Sequence, residues 1–261
     1  MKREFFCLTH PGLVRGNNED AVAALPDVGL ALLADGMGGY NAGEIASAMA
    51  IDYTGRQLAH GLAQSPSLKD TRRLMQSAID TANLAIYEAA RNNPDYRGMG
   101  TTLVMLAFGD SRVVVGHIGD SRAYRMRQGH LQRLTKDHSL LQEHMDAGLL
   151  SPAMAEVVHY KNLVTRAMGV DASVPLELSD HAVQDGDLYL LCSDGLSDML
   201  SDADIAELLS MGNDMASVGR LLVDAANDAG GRDNISVVLV ECHLETTRPG
   251  LLTRLFTSNT T

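Results

Sequence analysis

Tryptophan is absent from this 261-residue sequence, and aromatic residues make up only 4% of it. The core must therefore rely on aliphatic side chains and on the 13 methionines, and little is available for stacking on nucleic-acid bases. Positive charge is also scarce, since 21 Lys and Arg stand against 33 Asp and Glu, a net charge of −12. Because nucleic-acid affinity depends on basic side chains that neutralise phosphates, this balance excludes a general binder of nucleic acids.

Cysteines and long apolar runs are few as well. Cys7, Cys192 and Cys242 form no C-x-x-C pair, and each lies in an apolar segment, which predicts buried, reduced thiols. The apolar stretch at the N-terminus is too short for the core of a signal peptide. No apolar run approaches the roughly 20 residues that a membrane helix needs. We therefore expect a cytoplasmic protein that does not insert into membranes.

The apolar pattern changes along the chain and predicts an α+β fold. The strand-like runs are 4–9, 30–34, 101–108, 113–118, 122–126, 130–134, 174–183, 188–192 and 235–243, and the helical patterns are 43–63, 75–89, 202–211 and 215–229. Gly-Asp and Gln-Gly turns separate the four runs between 101 and 134, which we interpret as an antiparallel meander. Because strands and helices are grouped rather than alternating, a layered α+β arrangement is favoured over a doubly wound parallel sheet.

The first two helical patterns each mark one face of a helix. In the first, Ile45, Met49 and Tyr53 recur at intervals of four residues. In the second, the apolar residues recur at alternating spacings of three and four, at Met75, Ala78, Ala82, Ala85 and Ala89. Residues 137–160 are polar and helical in pattern, whereas residues 246–261 have lost the apolar rhythm and are interpreted as a C-terminal tail.

Four aspartates stand at or near the ends of strand-like runs, and they are Asp35, Asp120, Asp194 and Asp233. A carboxylate at the end of a buried strand must be desolvated, paired or bound to a cation. Four of them in one chain predict convergence on a metal site. The acidic balance of the chain fits such a site, although solubility alone accounts for most of the charge.

Glycine follows two of these aspartates. In Asp35-Gly-Met-Gly-Gly39 the glycines allow a tight turn that brings a backbone carbonyl close to whatever the carboxylate holds. A simple turn before the first helix is the alternative, but it does not explain why the pattern recurs at Asp194-Gly195. The sequence has no His-x-x-x-His, no His-Glu-x-x-His and no cysteine cluster, so oxygen ligands favour Mg²⁺ or Mn²⁺ over zinc. The acids also lack the spacing of an EF-hand calcium loop.

Arg15 and three histidines complete the candidate residues. Arg15 lies four residues before Glu19-Asp20, which favours either a surface ion pair or, beside a metal cluster, a fork for two phosphate oxygens. His117 lies inside an apolar run and is interpreted as a hydrogen-bonded core residue. His138 and His159 lie in or beside the polar segment, from which they can approach a site.

Seven short motifs follow one another along the chain. They are Val14-Arg-Gly-Asn-Asn-Glu-Asp20, Asp35-Gly-Met-Gly-Gly39, Gly100-Thr-Thr102, Gly119-Asp-Ser-Arg122, Thr165-Arg-Ala-Met-Gly169, Ser193-Asp-Gly-Leu-Ser-Asp198 and Asp233-Asn234. In this order they closely resemble the signatures of the metal-dependent serine/threonine protein phosphatases of type 2C, in their compact bacterial form. The resemblance spans roughly residues 7 to 242.

The resemblance implies a four-layer α/β/β/α sandwich in which two antiparallel sheets are flanked by helices. A metal site is expected at one end of the sandwich, with a helical flap at about 137–165 beside it. The chain is accordingly expected to form a single catalytic domain over residues 1–245, followed by the tail at 246–261.

By the family pattern, the catalytic residues are Arg15 and three of the aspartates. Asp35 is expected to bridge two Mn²⁺ or Mg²⁺ ions, and the carbonyl of Gly36 to bind the first of them. Asp194 and Asp233 are expected to hold the second ion. Arg15 is expected to bind the phosphate.

The pattern also implies supporting residues around the two ions. Glu19 and Asp20 are expected to position metal-bound waters. Asp120, together with Asp194 and Asp198, is expected to form a third, weaker metal site. His138 and His159 would belong to the flap.

The implied reaction is hydrolysis of phosphoserine or phosphothreonine in proteins by a hydroxide that bridges the two ions. It would reverse the action of a bacterial Ser/Thr kinase, so the expected partners are phosphorylated proteins and a cognate kinase, and the chain is expected to be a monomer. The proton donor for the leaving alkoxide stays open, because Met37 and Tyr40 stand where many relatives carry histidine. A metal-bound water at the third site and His159 are the two hypotheses.

Two other functions are compatible with the same motifs. One is a phosphoprotein-binding regulator that has lost catalysis, against which the retention of all four aspartates and Arg15 argues. The other is a phosphatase of small phosphorylated metabolites, which the sequence does not distinguish because recognition lies in the flap and loops.

Overall fold

The computed structural model describes residues 1–39, 42–151, 163–212 and 214–243. The strands are β1 (Lys2–His10), β2 (Asp20–Leu25), β3 (Leu30–Met37), β4 (Gly100–Thr101), β5 (Leu103–Phe108), β6 (Arg112–Ile118), β7 (Arg122–Arg127), β8 (His130–Arg133), β9 (Glu177–Ala182), β10 (Leu188–Cys192) and β11 (Ile235–His243). The helices are α1 (Ala42–Leu62), α2 (Leu68–Asn92), α3 (Leu140–Asp146), α4 (Asp194–Ser197), α5 (Asp202–Met211) and α6 (Met215–Asp228), besides 3₁₀ turns at Pro26–Val28 and Pro94–Tyr96.

The strands form two antiparallel sheets. The first sheet has the order β1-β11-β10-β7-β8, and the second has the order β2-β3-β5-β6-β9, with the short β4 beside the end of β3. Helices α1 and α2 pack on the second sheet, whereas α5 and α6 pack on the first. The predicted arrangement of two antiparallel sheets flanked by helices is thereby confirmed.

Successive side chains of a strand point to opposite faces of its sheet, and the core therefore consists of three apolar interfaces. On β3, Leu32 packs towards α1 and α2, whereas Leu33 faces the other sheet. On β11, Leu239 packs towards α5 and α6, whereas Val240 faces the other sheet. A strand that is buried on both faces must be apolar at successive positions. This explains why the runs at 30–34 and 237–240 are continuous rather than alternating.

The chain between 101 and 134 does not form a single meander. β5 pairs with β6 in the second sheet and β7 pairs with β8 in the first, so the chain changes sheets between β6 and β7. It does so at Gly119, whose φ of +100° lies in the left-handed region that favours glycine. The meander prediction is therefore wrong, because a turn signal marks where a strand ends and not which sheet the next strand joins.

Several element boundaries also differ from the prediction. β2 has no counterpart among the predicted strands, and the run at 174–183 shortens to β9. The apolar run at 188–192 and the helical pattern at 202–211 match β10 and α5 residue for residue. The predictions therefore hold where an apolar period is strong, and fail where a strand is short or rich in alanine.

Helix α1 buries a different face from the one marked by its larger apolar residues. Ala46 and Ala50 are fully buried, whereas Tyr53 is 42% exposed and Ile45 and Met49 are only partly buried. Small residues allow the helix to lie close to the second sheet. The spacing of Ile45, Met49 and Tyr53 thus predicted the helix correctly but not its most buried face.

The first helix after β8 is α3. It confirms helical structure in one part of the expected flap, residues 140–146. Flap residues 152–162, which include His159, and the tail at 246–261 lie outside the described residues. Cys192 and Cys242 are buried free thiols, and Cys7 is a half-buried one. In the described ranges, no helix combines the length and the apolar character needed to cross a membrane.

Candidate metal centre

The four strand-end aspartates meet in one cleft of about 240 Å³. Asp35 comes from β3, Asp120 follows β6, Asp194 follows β10 and Asp233 precedes β11, so both sheets contribute. The cleft is lined by Arg15, Glu19, Asp35, Gly36, Met37, Gly38, Thr102, Asp120, Val164, Asp194 and Asp233. Strand ends that are distant in sequence are brought together because they lie at the same end of the two packed sheets.

Asp35 is anchored through its backbone. Its N–H donates to Thr102 Oγ1 at 3.0 Å, and its carbonyl accepts from the Thr102 N–H at 2.9 Å and from the Thr101 hydroxyl at 2.8 Å. In the pairing of β2 with β3, Asp20 lies opposite Asp35. The fold therefore places two carboxylates side by side and fixes the backbone of one of them.

Glycine is required after both aspartates of the Asp-Gly pairs. A Cβ on Gly36 would lie 2.1 Å from the carbonyl oxygen of Gly43 and 2.6 Å from that of Glu19. A Cβ on Gly195 would lie 2.0 Å from the carbonyl oxygen of Asn234. These distances are much shorter than van der Waals contact. Only glycine therefore allows the other backbone segment to pack this closely beside the cleft. The simple-turn interpretation of Asp35-Gly-Met-Gly-Gly39 misses this close approach.

Two buried carboxylate oxygens at this site have no hydrogen-bond partner among the described residues. They are Asp194 Oδ1, in the cleft, and Asp20 Oδ1, on the strand beside Asp35; Asp20 itself does not line the cleft. The other oxygen of Asp20 accepts a hydrogen bond from the Ser193 hydroxyl at 2.9 Å. A buried, charged acceptor without a partner is costly and calls for a ligand.

Burial and mutual repulsion raise the pKa values of these carboxyls. The pKa of Asp35 lies well above its ordinary value, first through burial and then through the charges of Asp20 and Asp194. Burial, followed by the charges of Asp120 and Asp198, does the same to the pKa of Asp194. Burial raises the pKa of Asp20 to about 7 and that of Asp120 to about 6.

A divalent cation would reverse this effect, because it stabilises the ionised form of each carboxyl. The carboxylates of the cleft offer oxygen ligands, which suit Mg²⁺ and Mn²⁺ rather than softer metals, and the Met37 thioether is the one sulfur among the described residues that line it. The carboxylates present therefore fit hard divalent cations.

Arg15 reaches the cleft from the loop after β1. Its Nη2 lies 2.7 Å from Asp233 Oδ2, and 52% of its side chain is exposed. The hydrogen bond with Asp233 raises the pKa of Arg15, so the guanidinium stays charged. Its ion-pair partner is thus a distant cleft residue and not the neighbouring Glu19-Asp20 pair. One edge of the guanidinium is held while the rest stays accessible.

Asn234 fastens the Arg15 loop to the start of β11. Its Oδ1 accepts from the Glu19 N–H at 2.8 Å, and its Nδ2 donates to the carbonyls of Pro11 at 3.0 Å and Asn17 at 2.8 Å. The loop from 11 to 19 is therefore tied at both ends to the residue after Asp233. This arrangement holds Arg15 and Glu19 in the cleft wall.

Asp120 and Asp198 lie towards one side of the cleft. Asp120 is 8% exposed and lines the cleft at the sheet-crossing turn, whereas Asp198 is exposed at the C-terminal end of α4 and does not line it. The negative charge of Asp198 nevertheless raises the pKa values of Asp120 and Asp194, so the three carboxyls are electrostatic neighbours.

His138 lies beside the sheet-crossing turn and is not among the residues that line the cleft. Its Nδ1 accepts from the Gly119 N–H at 3.0 Å, and its Nε2 lies 3.2 Å from Glu177 Oε2 and 3.0 Å from Arg166 Nη1. The ring stacks on His117 with centroids 4.5 Å apart. His117 is buried and its Nε2 lies 2.8 Å from the Lys136 carbonyl, which confirms it as a hydrogen-bonded core residue.

Three supporting residues of the cleft were not singled out from the sequence. They are Thr102, which holds the Asp35 backbone, Ser193, which donates to Asp20, and Asn234, which holds the Arg15 loop. Each lies inside one of the seven motifs, and Ser193 and Asn234 adjoin predicted ligands in the sequence, whereas Thr102 does not. A polar residue beside an apolar strand end was the available signal, but its partner depends on contacts distant in sequence.

Comparisons with known proteins agree with this geometry. The sequence pattern of the protein phosphatase 2C family matches residues 15–239. The serine/threonine protein phosphatase PstP of Mycobacterium tuberculosis is 40% identical over 230 residues, which are 88% of this chain and 43% of PstP. The protein phosphatase PhpP of Streptococcus pneumoniae is 37% identical over 245 residues, which are 93% of this chain and 98% of PhpP.

A solved structure extends the comparison to three dimensions. The catalytic domain of PstP in complex with two manganese ions superposes with a TM-score of 0.82 at 38% identity, covering 93% of this chain and 99% of that one. The chain spans less than half the length of the mycobacterial relative but nearly the whole length of the streptococcal one.

Proposed function

Because this chain belongs to the protein phosphatase 2C family, we propose that it removes phosphate from phosphoserine and phosphothreonine in proteins in a metal-dependent reaction. The observation that carries the proposal is the cleft in which four aspartates meet. A buried oxygen of Asp194 in the cleft, and one of Asp20 on the strand beside Asp35, lack a partner among the described residues. Identity to phosphatases over most of the chain supports the same reaction.

Two cations would be held by residues from both sheets. Asp35 would be shared between them, the Gly36 carbonyl would hold one, and Asp194 and Asp233 would hold the other. Asp120, with Asp194 and Asp198, would provide a third and weaker site. When bound, Mn²⁺ or Mg²⁺ would acidify a water molecule in the cleft and offset negative charge on the phosphoryl group.

Arg15 would bind the phosphate of the substrate. Asp233 holds one edge of its guanidinium, and its half-exposed fork can donate to two phosphate oxygens. Such donors stabilise the charge on the transferring group without rearranging during the reaction. Glu19 and Asp20 would accept hydrogen bonds from water in the cleft and so orient it towards the phosphorus.

The proton for the leaving alkoxide has two candidate sources. One is a water molecule held beside Asp120. Burial raises the pKa of the Asp120 carboxyl to about 6. The other is His159. We expect the responsible group to set the acidic or basic limb of the pH–rate profile. Profiles for Asp120→Ala and His159→Ala would therefore separate the two, because only one replacement should remove or shift a limb.

We further propose that the chain acts as a monomer and in the cytoplasm. Residues 1–245 would form one catalytic domain, in line with the family match over residues 15–239. Its partners would be phosphorylated proteins and the Ser/Thr kinase that produces them.

The test is release of phosphate from p-nitrophenyl phosphate and from phosphothreonine peptides, with Mn²⁺ or Mg²⁺ and with a chelator. We expect activity that depends on the cation, and an Asp194→Ala variant slower by at least about 10²-fold. Asp224→Asn, an exposed position on α6, is the matched control and should keep full activity. An Asp194→Ala protein as active as the wild type would refute the proposal.

The two competing functions predict different results in the same assay. A binding regulator would take up cations in calorimetry and bind phosphopeptides without turning them over. A phosphatase of small metabolites would hydrolyse p-nitrophenyl phosphate but not phosphothreonine peptides or phosphorylated proteins.

A further inference from the structure

A second concavity, of about 490 Å³, opens at the C-terminal end of α2. It is lined by Tyr87, Ala90, Arg91, Pro94, Arg97, Gly98, Met99, Gly169 and Val170, and we call it the Arg91–Arg97 groove. Most of these side chains are apolar, and Val170 is 55% exposed although it is a large aliphatic residue. No residue of the metal cleft lines the groove, so the two sites are separate concavities.

The charged side chains that line the groove are both positive, in a protein that is acidic overall. Among the described residues, Arg91 and Arg97 are the only charged ones in its lining, and the carboxylates Glu88, Asp95 and Asp171, which are close in sequence, do not line it. Both arginines are exposed, and neither forms an ion pair with a carboxylate in the described part of the chain. Arg91 lies over the Tyr87 ring, 5.5 Å from its centroid, which holds the guanidinium beside the groove.

The groove adjoins the metal cleft. A Cβ on Gly100 would lie 3.1 Å from Val170 Cγ2 and 3.6 Å from Met37 Cγ. Val170 belongs to the groove and Met37 lines the cleft, so the two sites lie close together at Gly100. Arg97 precedes Gly100 by three residues, and even a fully extended chain would place their Cα atoms within about 10 Å.

We propose that the Arg91–Arg97 groove binds an acidic segment of the phosphoprotein substrate while the phosphorylated residue occupies the cleft. This inference rests on the proposed phosphatase function. An extended peptide advances about 3.3 Å per residue, so Asp or Glu side chains three to five residues from the phosphorylated residue would reach the arginines. The guanidinium groups would pair with these carboxylates, and the apolar floor would contact their methylene groups.

The test compares phosphothreonine peptides that carry one Glu, or one Gln in its place, at positions from about two to about six residues away on either side. We expect kcat/KM of the wild type to favour Glu over Gln at one or two of these positions. The Arg91→Gln/Arg97→Gln variant should lose this preference, with a decrease of about tenfold on the Glu peptide. Turnover of p-nitrophenyl phosphate, which is too small to occupy both the cleft and the groove, should change less than about twofold.

A matched control removes the same charge elsewhere. Arg73→Gln/Arg220→Gln replaces two exposed arginines that line neither concavity, and it should keep the preference for Glu. The proposal is overturned if the wild type does not distinguish Glu from Gln, or if both double variants lose activity equally. It is also overturned if only a second phosphorylated residue, and not Glu, depends on the two arginines. Failure of the proposed function is distinct, because the wild type would then release no phosphate from any of the phosphothreonine peptides, whether they carry Glu or Gln.

Discussion

Asp120 and Asp194 share a cleft, but their surroundings differ. Asp194 begins α4 directly after a buried strand, and one of its oxygens is buried without a partner in the described part of the chain. Asp120 lies at a glycine turn between the sheets, and Asp137 and Asp198 add to the effect of burial on its pKa. These surroundings support our proposal that Asp194 holds a central cation and that Asp120 belongs to the third and weaker site.

Replacement should separate the two roles. We expect Asp194→Asn to abolish binding of Mn²⁺ at the centre, because it removes the negative charge from a proposed ligand of the central ions. Asp120→Asn should keep both strong binding events and slow turnover by about 10- to 100-fold. Calorimetric titration with Mn²⁺, followed by assay of the same samples, measures both effects. Loss of the strong binding events in Asp120→Asn would contradict this assignment.

Asn234 illustrates a residue that acts only through others. In Asn234→Asp the Nδ2 donor becomes an oxygen that faces the carbonyl oxygens of Pro11 and Asn17, so two attractive contacts become repulsive. We expect a loss of about 2–4 kcal/mol in the free energy of unfolding, measured with urea. KM for phosphopeptides should also rise, because the Arg15 loop loses two of its three hydrogen bonds to Asn234.

The control for Asn234→Asp is Asn92→Asp, which adds the same charge at an exposed position at the end of α2. It should change the free energy of unfolding by less than about 0.5 kcal/mol and leave KM unaltered. Equal effects of the two substitutions would mean that added charge, and not the lost hydrogen bonds, is responsible.

At the scale of elements, the connection between β6 and β7 passes from one sheet to the other beside the cleft. Gly119 has a φ of +100°, and a Cβ there would lie 2.6 Å from Thr102 Cγ2. Thr102 accepts a hydrogen bond from the backbone of Asp35 and lies 2.7 Å from the Ser121 hydroxyl. A side chain at Gly119 would therefore push on the residue that holds the proposed bridging ligand.

Gly119→Ala should lower the free energy of unfolding by about 2–4 kcal/mol and weaken binding of Mn²⁺. Gly129→Ala is a close control, because Gly129 has a φ of +77° but open space around its Cβ position. It should lose only the backbone contribution of about 1 kcal/mol and bind Mn²⁺ normally. Urea unfolding and calorimetry measure the two effects, and equal Mn²⁺ affinities in both variants would contradict the role of Thr102.

The elements that the sequence predicts well are those in which local periodicity decides the structure. Helix α5 begins at a Ser201 cap with Asp204 three residues later, and its predicted span matches. The β6 to β7 crossing depends instead on which sheet the next strand joins, and it was not predicted. The strand Asp20–Leu25 was not predicted either, because it is short and rich in alanine, although its partner β3 follows closely in sequence. The same limit applies to the site, since the aspartates follow from strand ends while the partners of Asn234 and Thr102 follow from the tertiary fold.

At the scale of the whole molecule, repulsion between the carboxylates at the cleft opposes folding. Burial of the three apolar interfaces must overcome it. Each carboxyl with a raised pKa binds protons more tightly in the folded protein than in the unfolded chain. Asp35, Asp194, Asp20 and Asp120 all belong to this class. The cation-free protein is therefore expected to be least stable where these groups must ionise together.

The sign of the pH dependence follows from this shift. Between the ordinary value of 3.8 and a folded value of about 7 for Asp20, the folded state holds more protons than the unfolded state. Stability contributed by these groups is therefore present at low pH and is lost as pH rises through that window, by up to about 1.4 kcal/mol per pH unit for each proton. Cations should abolish the loss, because they favour the ionised carboxylates in the folded protein.

Urea unfolding of the wild type and of Asp194→Asn, at a series of pH values with a chelator, tests this linkage. In the absence of cations Asp194→Asn should become the more stable protein as pH rises towards neutrality, because one buried charge is removed from the cluster. Addition of Mn²⁺ should reverse the order, since only the wild type retains the full ligand set. Asp224→Asn should follow the wild type in both conditions. If the wild type without cations were more stable than Asp194→Asn at neutral pH, repulsion between the carboxylates would not destabilise the folded protein. The buried oxygens without hydrogen-bond partners would then need a different explanation.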